Sequence, residues 1–226
     1  MLEINHIYCG DCLELMKDIP DGSVDCCITS PPYWGLRDYG LEPVTWTDGT
    51  THSLGLEPDF RLYIAHLIQI FDEVKRVLKP TGTCWVNLGD SYSGSGSPGG
   101  DFRNGKGGDT YLRPYNRKGL PAKSLCQIPS RFSIAMSDAG WILRNEIVWW
   151  KRNCMPSSAK DRFTVDFEKV FFFTKQGRYW FEQQKDTTII FDHSARDRDN
   201  TKLNNTPGRT KIGGLKVNNY TQRIAR

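Results

Sequence analysis

Ile28-Thr29-Ser30-Pro31-Pro32-Tyr33-Trp34 is the stretch on which the fold turns. It follows Val24-Asp25-Cys26-Cys27-Ile28, whose length and apolar character predict a short buried strand. The strand must stop at the prolines, because neither offers an N–H to a sheet ladder. Each proline also keeps the residue before it out of the helical region. Ser30 and Pro31 are therefore extended, and Tyr33 and Trp34 project past a strand end. In open α/β sheets that is where ligands bind.

Working outward, Ile4 to Tyr8 is expected to be a first strand. Asp11 then caps a short helix carrying Leu13, Leu15, Met16 and Ile19, with Glu14 placed for a capping box. Strand, helix and strand within 30 residues predict a parallel βαβ unit, with Asp11 at the same sheet edge as Ser30. Gly35 to Gly55 is expected to be a long loop. Pro58 to Leu78 has helical periodicity, and Thr83 to Leu88 follows as a buried strand. Residues 91–125, rich in glycine, serine and basic side chains, are expected to be a mobile loop. Further expectations are a helix over 129–139, strands over 141–150 and 168–174, and a short antiparallel strand at Tyr179-Trp180-Phe181. Trp141, Trp149 and Trp150 are expected in the core. The domain division is a body of residues 1–183 and a polar, basic tail of 184–226 with little apolar periodicity.

The totals set outer limits. The chain has 226 residues, enough for one sizeable core. No apolar run approaches the roughly 20 residues of a membrane helix. The N-terminus shows no secretory pattern, and seven cysteines, an odd number with several in apolar runs, suggest reduced thiols and a cytoplasmic protein. The net charge of +4 is uneven. Residues 93–123 carry a net +4 and residues 193–226 a net +6, leaving −6 for the rest. Basic segments on an acidic body suit a polyanion, though they also merely solubilise. Cys9-x-x-Cys12 and the Cys26-Cys27 pair lack the spacing of a zinc site, and the four histidines form no ligand pattern. His66 is expected to be a satisfied core or polar-face residue.

A Ser-Pro-Pro-aromatic turn has a specific chemical use. An exocyclic amino group on a base is a poor nucleophile, because its lone pair is delocalised into the ring. A side-chain oxygen and a backbone carbonyl that accept its two N–H protons favour a pyramidal nitrogen, freed to attack a methyl group. The aromatic ring stacks on the base, which has left the duplex. A short linear Pro-Pro-Tyr recognition motif is the plainer reading, but such motifs lie in disordered segments, not after a core strand.

The wider context resembles the amino-methylating DNA methyltransferases, in the permuted order that puts the catalytic motif first. Gly10-Asp11-Cys12-Leu13-Glu14-Leu15 is similar to that family's cofactor-adenine motif, and Asp25 through Tyr33 to its catalytic motif. Residues 71–82, 140–151 and 167–174 are similar to its later helix and strands. The resemblance implies a three-layer α/β fold of the S-adenosylmethionine methyltransferase type, Rossmann-like, with a mostly parallel sheet. It implies Ser30, Pro31, Pro32 and Tyr33 as the catalytic group. Asp11, Cys12 and Ser30 would meet the cofactor, S-adenosylmethionine. Trp34, Arg37, Lys151 and Arg152 are the candidate contacts to double-stranded DNA. No metal is implied. The serine form is associated more with cytosine N4 than with adenine N6. RNA or a protein amide remains an alternative substrate, and a non-catalytic nucleic-acid-binding fragment an alternative role.

One departure stands out. The family holds the methionine end of the cofactor on an Asp-Pro-Phe-x-Gly-x-Gly turn, and none occurs in these 226 residues. Gly94-Ser95-Gly96-Ser97-Pro98-Gly99 fits Gly-x-Gly-x-x-Gly by pattern only, since no strand leads in and Pro98-Gly99-Gly100 cannot open a helix. The expectation is that a missing segment or a second chain supplies the turn.

Overall fold

A computed structural model describes residues 2–93, 120–154, 156–157 and 159–183, and the backbone of 185–186 and 223–224. Two compact units emerge, Met1–Trp180 and Phe181–Arg226. In the second, β7 (Lys185–Asp186) pairs antiparallel with β8 (Arg223–Ile224). The rest of the tail, and residues 94–119 of the glycine-rich segment with its Gly-x-Gly-x-x-Gly match, lie outside the described residues.

The first unit is built on a four-stranded sheet of order β1-β4-β6-β5. β1 (Val24–Thr29) pairs parallel with β4 (Leu78–Leu88). β6 (Phe167–Thr174) runs antiparallel to both β4 and β5 (Ile142–Trp150). The sheet is therefore mixed among the described residues, not mostly parallel. The β1 to β4 link crosses over through a long helix, as parallel neighbours require. β5 and β6 are joined by a loop and pair antiparallel.

That crossover helix is α2 (Phe60–Val77). Asp59 caps it by accepting from the Arg61 N–H, and Lys75 and Arg76 occupy its last turn, where cations suit the helix dipole. Tyr63, Leu67, Phe71 and Val74 fall on one side and are buried. α3 (Ile128–Asp138) opens with Pro129 in its first turn and is followed by Gly140 at φ +79°, a conformation glycine adopts without strain. Phe132 on α3 lies 5.2 Å from Phe71 and 6.0 Å, edge-on, from Phe173 on β6. The five-residue α1 (Cys12–Met16) is too short to stand alone. Arg76 holds it, donating to the Met16 and Ile19 carbonyls and pairing with Asp21 and Glu73.

Side-chain alternation explains the layering. Cys84, Val86, Leu88, Phe171 and Phe173 share a core with residues of α1, α2 and α3. The opposite face carries Ile28, Trp85, Ile147 and Trp149, and no described helix covers it. Ile28 is 80% exposed and Trp149 54%. Of the three layers expected, the described residues show two. Other expectations also change. Ile4 to Tyr8 forms no strand, with Ile4 and Ile7 fully in solvent, so the N-terminal βαβ unit is absent. β1 is an edge strand among the described residues and half-exposed, not buried. Trp141 is in the core, but Trp149 and Trp150 are not. Residues 179–181 are irregular. The capping box is half formed: Asp11 accepts from Leu13 and Glu14, while Glu14 pairs outward with Lys17.

Candidate active site

The Ser30–Tyr33 turn leaves the carboxyl end of β1 and folds back over the end of β4. The Tyr33 ring lies against Gly89. A Cβ on Gly89 would meet the ring at 2.5 Å, so only glycine fits there. The Tyr33 hydroxyl reaches Asn87 Oδ1 at 2.7 Å and Glu168 Oε2 at 3.0 Å. Ser30 Oγ donates to the same hydroxyl at 3.4 Å. Lys151, at the end of β5, forms an ion pair with the other Glu168 oxygen. Burial pushes the Tyr33 phenol up to about 12, the Ser30 hydrogen bond opposing and the Glu168 charge adding. Burial would also raise Glu168, but its hydrogen bonds from Lys151 and Tyr33 prevail and hold it below the usual carboxylate value.

A second set of contacts fixes the backbone of the turn. Tyr63 on α2 donates its hydroxyl to the Pro32 carbonyl at 2.7 Å. Gly35 N–H donates to the Gly55 carbonyl at 2.8 Å. Gly55 sits at φ +91°, and a Cβ there would press on Pro32 and Tyr33 at 3.3 Å. The Trp34 indole N–H donates to the Glu57 carbonyl at 2.8 Å, with its ring buried against Phe60. Burial takes Trp34 out of reach of a nucleic acid, so that expected contact is corrected. Its role is to pin the turn from behind.

Glu57 is the hub of this brace. One of its oxygens accepts from Gly55 N–H and the other lies 2.9 Å from His66 Nδ1. His66, wholly buried, is stacked under Trp46 at 4.1 Å and approached on its far side by Asp48 and Thr50. Trp46 and these partners stand on or beside the hairpin of β2 (Val44–Thr45) and β3 (Thr51–His52). The loop expected between Gly35 and Gly55 is thus a built support for the turn. His66 is a satisfied core residue, one of the two alternatives the sequence left open.

A cleft joins the turn to α1. It encloses about 580 Å³ including the space at its mouth. Asp11, Cys12, Pro32 and Arg37 line it, with Leu41, Val44, Trp46 and Ile70 giving it an apolar wall. The structure therefore brings Asp11, Cys12, Pro32 and Arg37 together. Arg152 is elsewhere, its guanidinium 5.7 Å from the exposed Trp150 ring. Lys151 is spent on Glu168. Glu168, Asn87, Gly89 and Glu57 escaped the sequence reading. Only a glutamate beside a strand start, in Phe167-Glu168-Lys169, could have signalled the first of them.

A family model described as DNA methylase matches residues 24–221. The chain belongs to the DNA methylase family. Its matched span takes in the turn, the brace and both antiparallel strands. This family member is 41% identical over 185 residues to Type II methyltransferase M.Cfr9I of Citrobacter freundii, covering 80% of this chain and 58% of that one. It is 38% identical over 177 residues to M.SmaI of Serratia marcescens, covering 78% and 58%. Among solved structures it is similar to the cytosine-N4-specific PvuII DNA methyltransferase, at 25% identity and a TM-score of 0.50, covering 80% of this chain and 51% of that one. The S-adenosylmethionine methyltransferase type of fold follows from that match. This methylase chain spans a little over half the length of these relatives.

Proposed function

We propose that this chain carries the base-binding and catalytic half of a DNA amino-methyltransferase that uses S-adenosylmethionine and acts on cytosine N4. The observation that carries the reading is the Ser30-Pro31-Pro32-Tyr33 turn, held at a strand end with Pro32 on the wall of the Asp11 cleft. The cytosine-N4 specificity of the PvuII enzyme supports the choice of base, with adenine N6 the alternative.

The residues present fit the adenosine end of the cofactor. An apolar wall of Leu41, Val44 and Trp46 faces Asp11 and Cys12 across the cleft. Asp11 Oδ1 is committed to the α1 N–H groups, which fixes the carboxylate beside the cleft. The cofactor, when bound, supplies an electrophilic methyl group. Ser30 Oγ and the Pro31 carbonyl accept from the amino group of the base. The Tyr33 ring offers a face for stacking. Tyr63, Gly55 and Trp34 keep the turn from moving as the base enters. Arg37, at the cleft, approaches the DNA backbone.

We place the glycine-rich turn for the methionine end on polypeptide outside these residues, in a further segment or a partner chain. Three features support this: among the described residues the second edge of β1 is unpaired and nothing covers the sheet face bearing Ile28, and the relatives are longer. No described helix is long and apolar enough to cross a membrane, which accords with a cytoplasmic enzyme. The test is transfer of labelled methyl to DNA. Ser30→Ala and Tyr33→Ala are expected to abolish it, and unchanged rates in both would refute the mechanism. The same assay with RNA and protein substrates decides the substrate class.

A further inference from the structure

The contacts around Tyr33 set which groups donate and which accept in a short chain. Glu168 is held as a carboxylate by the Lys151 ammonium, so it accepts and cannot donate. Asn87 Nδ2 donates to the Lys169 carbonyl at 3.2 Å, which turns Oδ1 toward Tyr33. Both neighbours of the Tyr33 hydroxyl are therefore acceptors, and its single proton goes to one of them. Only lone pairs of the Tyr33 oxygen then face Ser30. The Ser30 contact at 3.4 Å therefore runs with the hydrogen inward, donated to Tyr33.

We infer that Glu168 is a positioning residue: through Tyr33 it holds the Ser30 hydroxyl with its hydrogen inward and its lone pairs toward the amino group of the target base. The inference rests on the function proposed above. A free serine hydroxyl rotates and presents hydrogen or lone pair with little preference. A hydrogen turned outward would oppose the N–H of the base. The chain from Lys151 to Ser30 removes that orientation, and each donated bond strengthens the next. An aspartate in place of Ser30 has no hydrogen to direct and would not depend on Glu168. No proton changes owner in this role.

The sign is measurable without turnover. In the full chain labelled with carbon-13 at tyrosine Cζ, with Tyr33→Phe assigning the resonance, Ser30→Ala is expected to move the Tyr33 signal downfield, because a bond donated to the phenol is lost. An upfield shift, or none, overturns the inference. In single-turnover methyl transfer, Glu168→Gln is expected to slow the step about ten-fold at unchanged affinity for DNA. Lys151 takes the oxygen of the glutamine, leaving its NH₂, a donor, at Tyr33. The same substitution beside Ser30→Asp is expected to cost less than about two-fold. An equal penalty in both backgrounds overturns the inference, as does a loss confined to DNA binding. If the unaltered chain, supplied with the polypeptide that carries the glycine-rich turn, transfers no methyl group, the proposed function fails by itself. The NMR sign still decides the orientation of Ser30, whether or not Ser30→Asp turns over.

Discussion

Gly89→Ala is the sharpest probe of the site, because two effects predict opposite signs. Alanine restricts the unfolded chain and stabilises a protein by about 0.4–1 kcal/mol wherever its methyl group fits. Here it does not fit. The added carbon would lie 2.5 Å from Tyr33 Cε2, 2.7 Å from Cδ2 and 3.3 Å from Cζ. Carbon–carbon contacts are comfortable near 3.5–4.0 Å, so the ring must retreat by about 1 Å. It is not free to do so. The hydroxyl is held by Asn87 and Glu168, and the backbone by the Tyr63 bond to Pro32. A retreat of about 1 Å breaks the Asn87 bond, worth roughly 1 kcal/mol, and overpacking in such sites typically costs about 1–3 kcal/mol. Gly89→Ala should therefore destabilise by about 1–3 kcal/mol in urea unfolding with an unchanged slope. Its methyl-transfer rate should fall by up to about 100-fold, since a catalytic group about 1 Å out of place costs that much. A variant as stable as the parent, or more so, with the Tyr33 resonance unmoved, would refute the claim that Tyr33 is clamped.

The Glu57 hub yields a second expectation. Its two oxygens accept from Gly55 N–H and from His66, so Glu57→Gln puts an NH₂ against one donor and should cost about 1–3 kcal/mol in thermal unfolding. Burial raises the Glu57 carboxyl, with His66 opposing. A folded value above the unfolded one means that its contribution is present below the unfolded value and lost as pH rises through the folded one. Glu57→Gln should flatten that part of the stability curve just above the ordinary glutamate range. Arg76→Ala should raise hydrogen exchange over residues 13–19 while leaving the middle of α2 protected, since Arg76 holds the carbonyls that end α1. A thiol reagent should modify Cys9, Cys12 and Cys26 in the native protein and reach Cys84 and Cys126 only on unfolding, as peptide mass mapping would show.

How much of this was legible depended on whether the signal was local. α2 announced itself through eighteen residues of periodicity with a cap before it, and the Pro-Pro turn through the chemistry of proline alone. Strand exposure was not local. Val24–Ile28 reads as buried because it is apolar, yet burial depends on what lies along its other edge and on the face that carries Ile28. Trp149 and Trp150 misled for the same reason. Ile4 to Tyr8 had strand-forming residues but no partner to pair with among the described residues. The support between Gly35 and Gly55 was invisible, since its bonds run from a two-strand hairpin to α2 and to the turn. Glu168 and Asn87 came to the site only through strand register, with Asn87 beside Val170 and Glu168 two residues before it.

The anchors of Tyr33 lie 54 and 135 residues away along the chain. Closing loops of that length is slow and is rewarded late in folding. A nascent chain that has emerged only as far as β4 has made the Pro-Pro turn and its Asn87 partner, but not the acceptor on β6. The tyrosine acquires its full set of bonds only when the last long strand docks. The geometry of the turn is thereby tied to docking of β6, and partly synthesised or partly unfolded chains present the same motif without its tether.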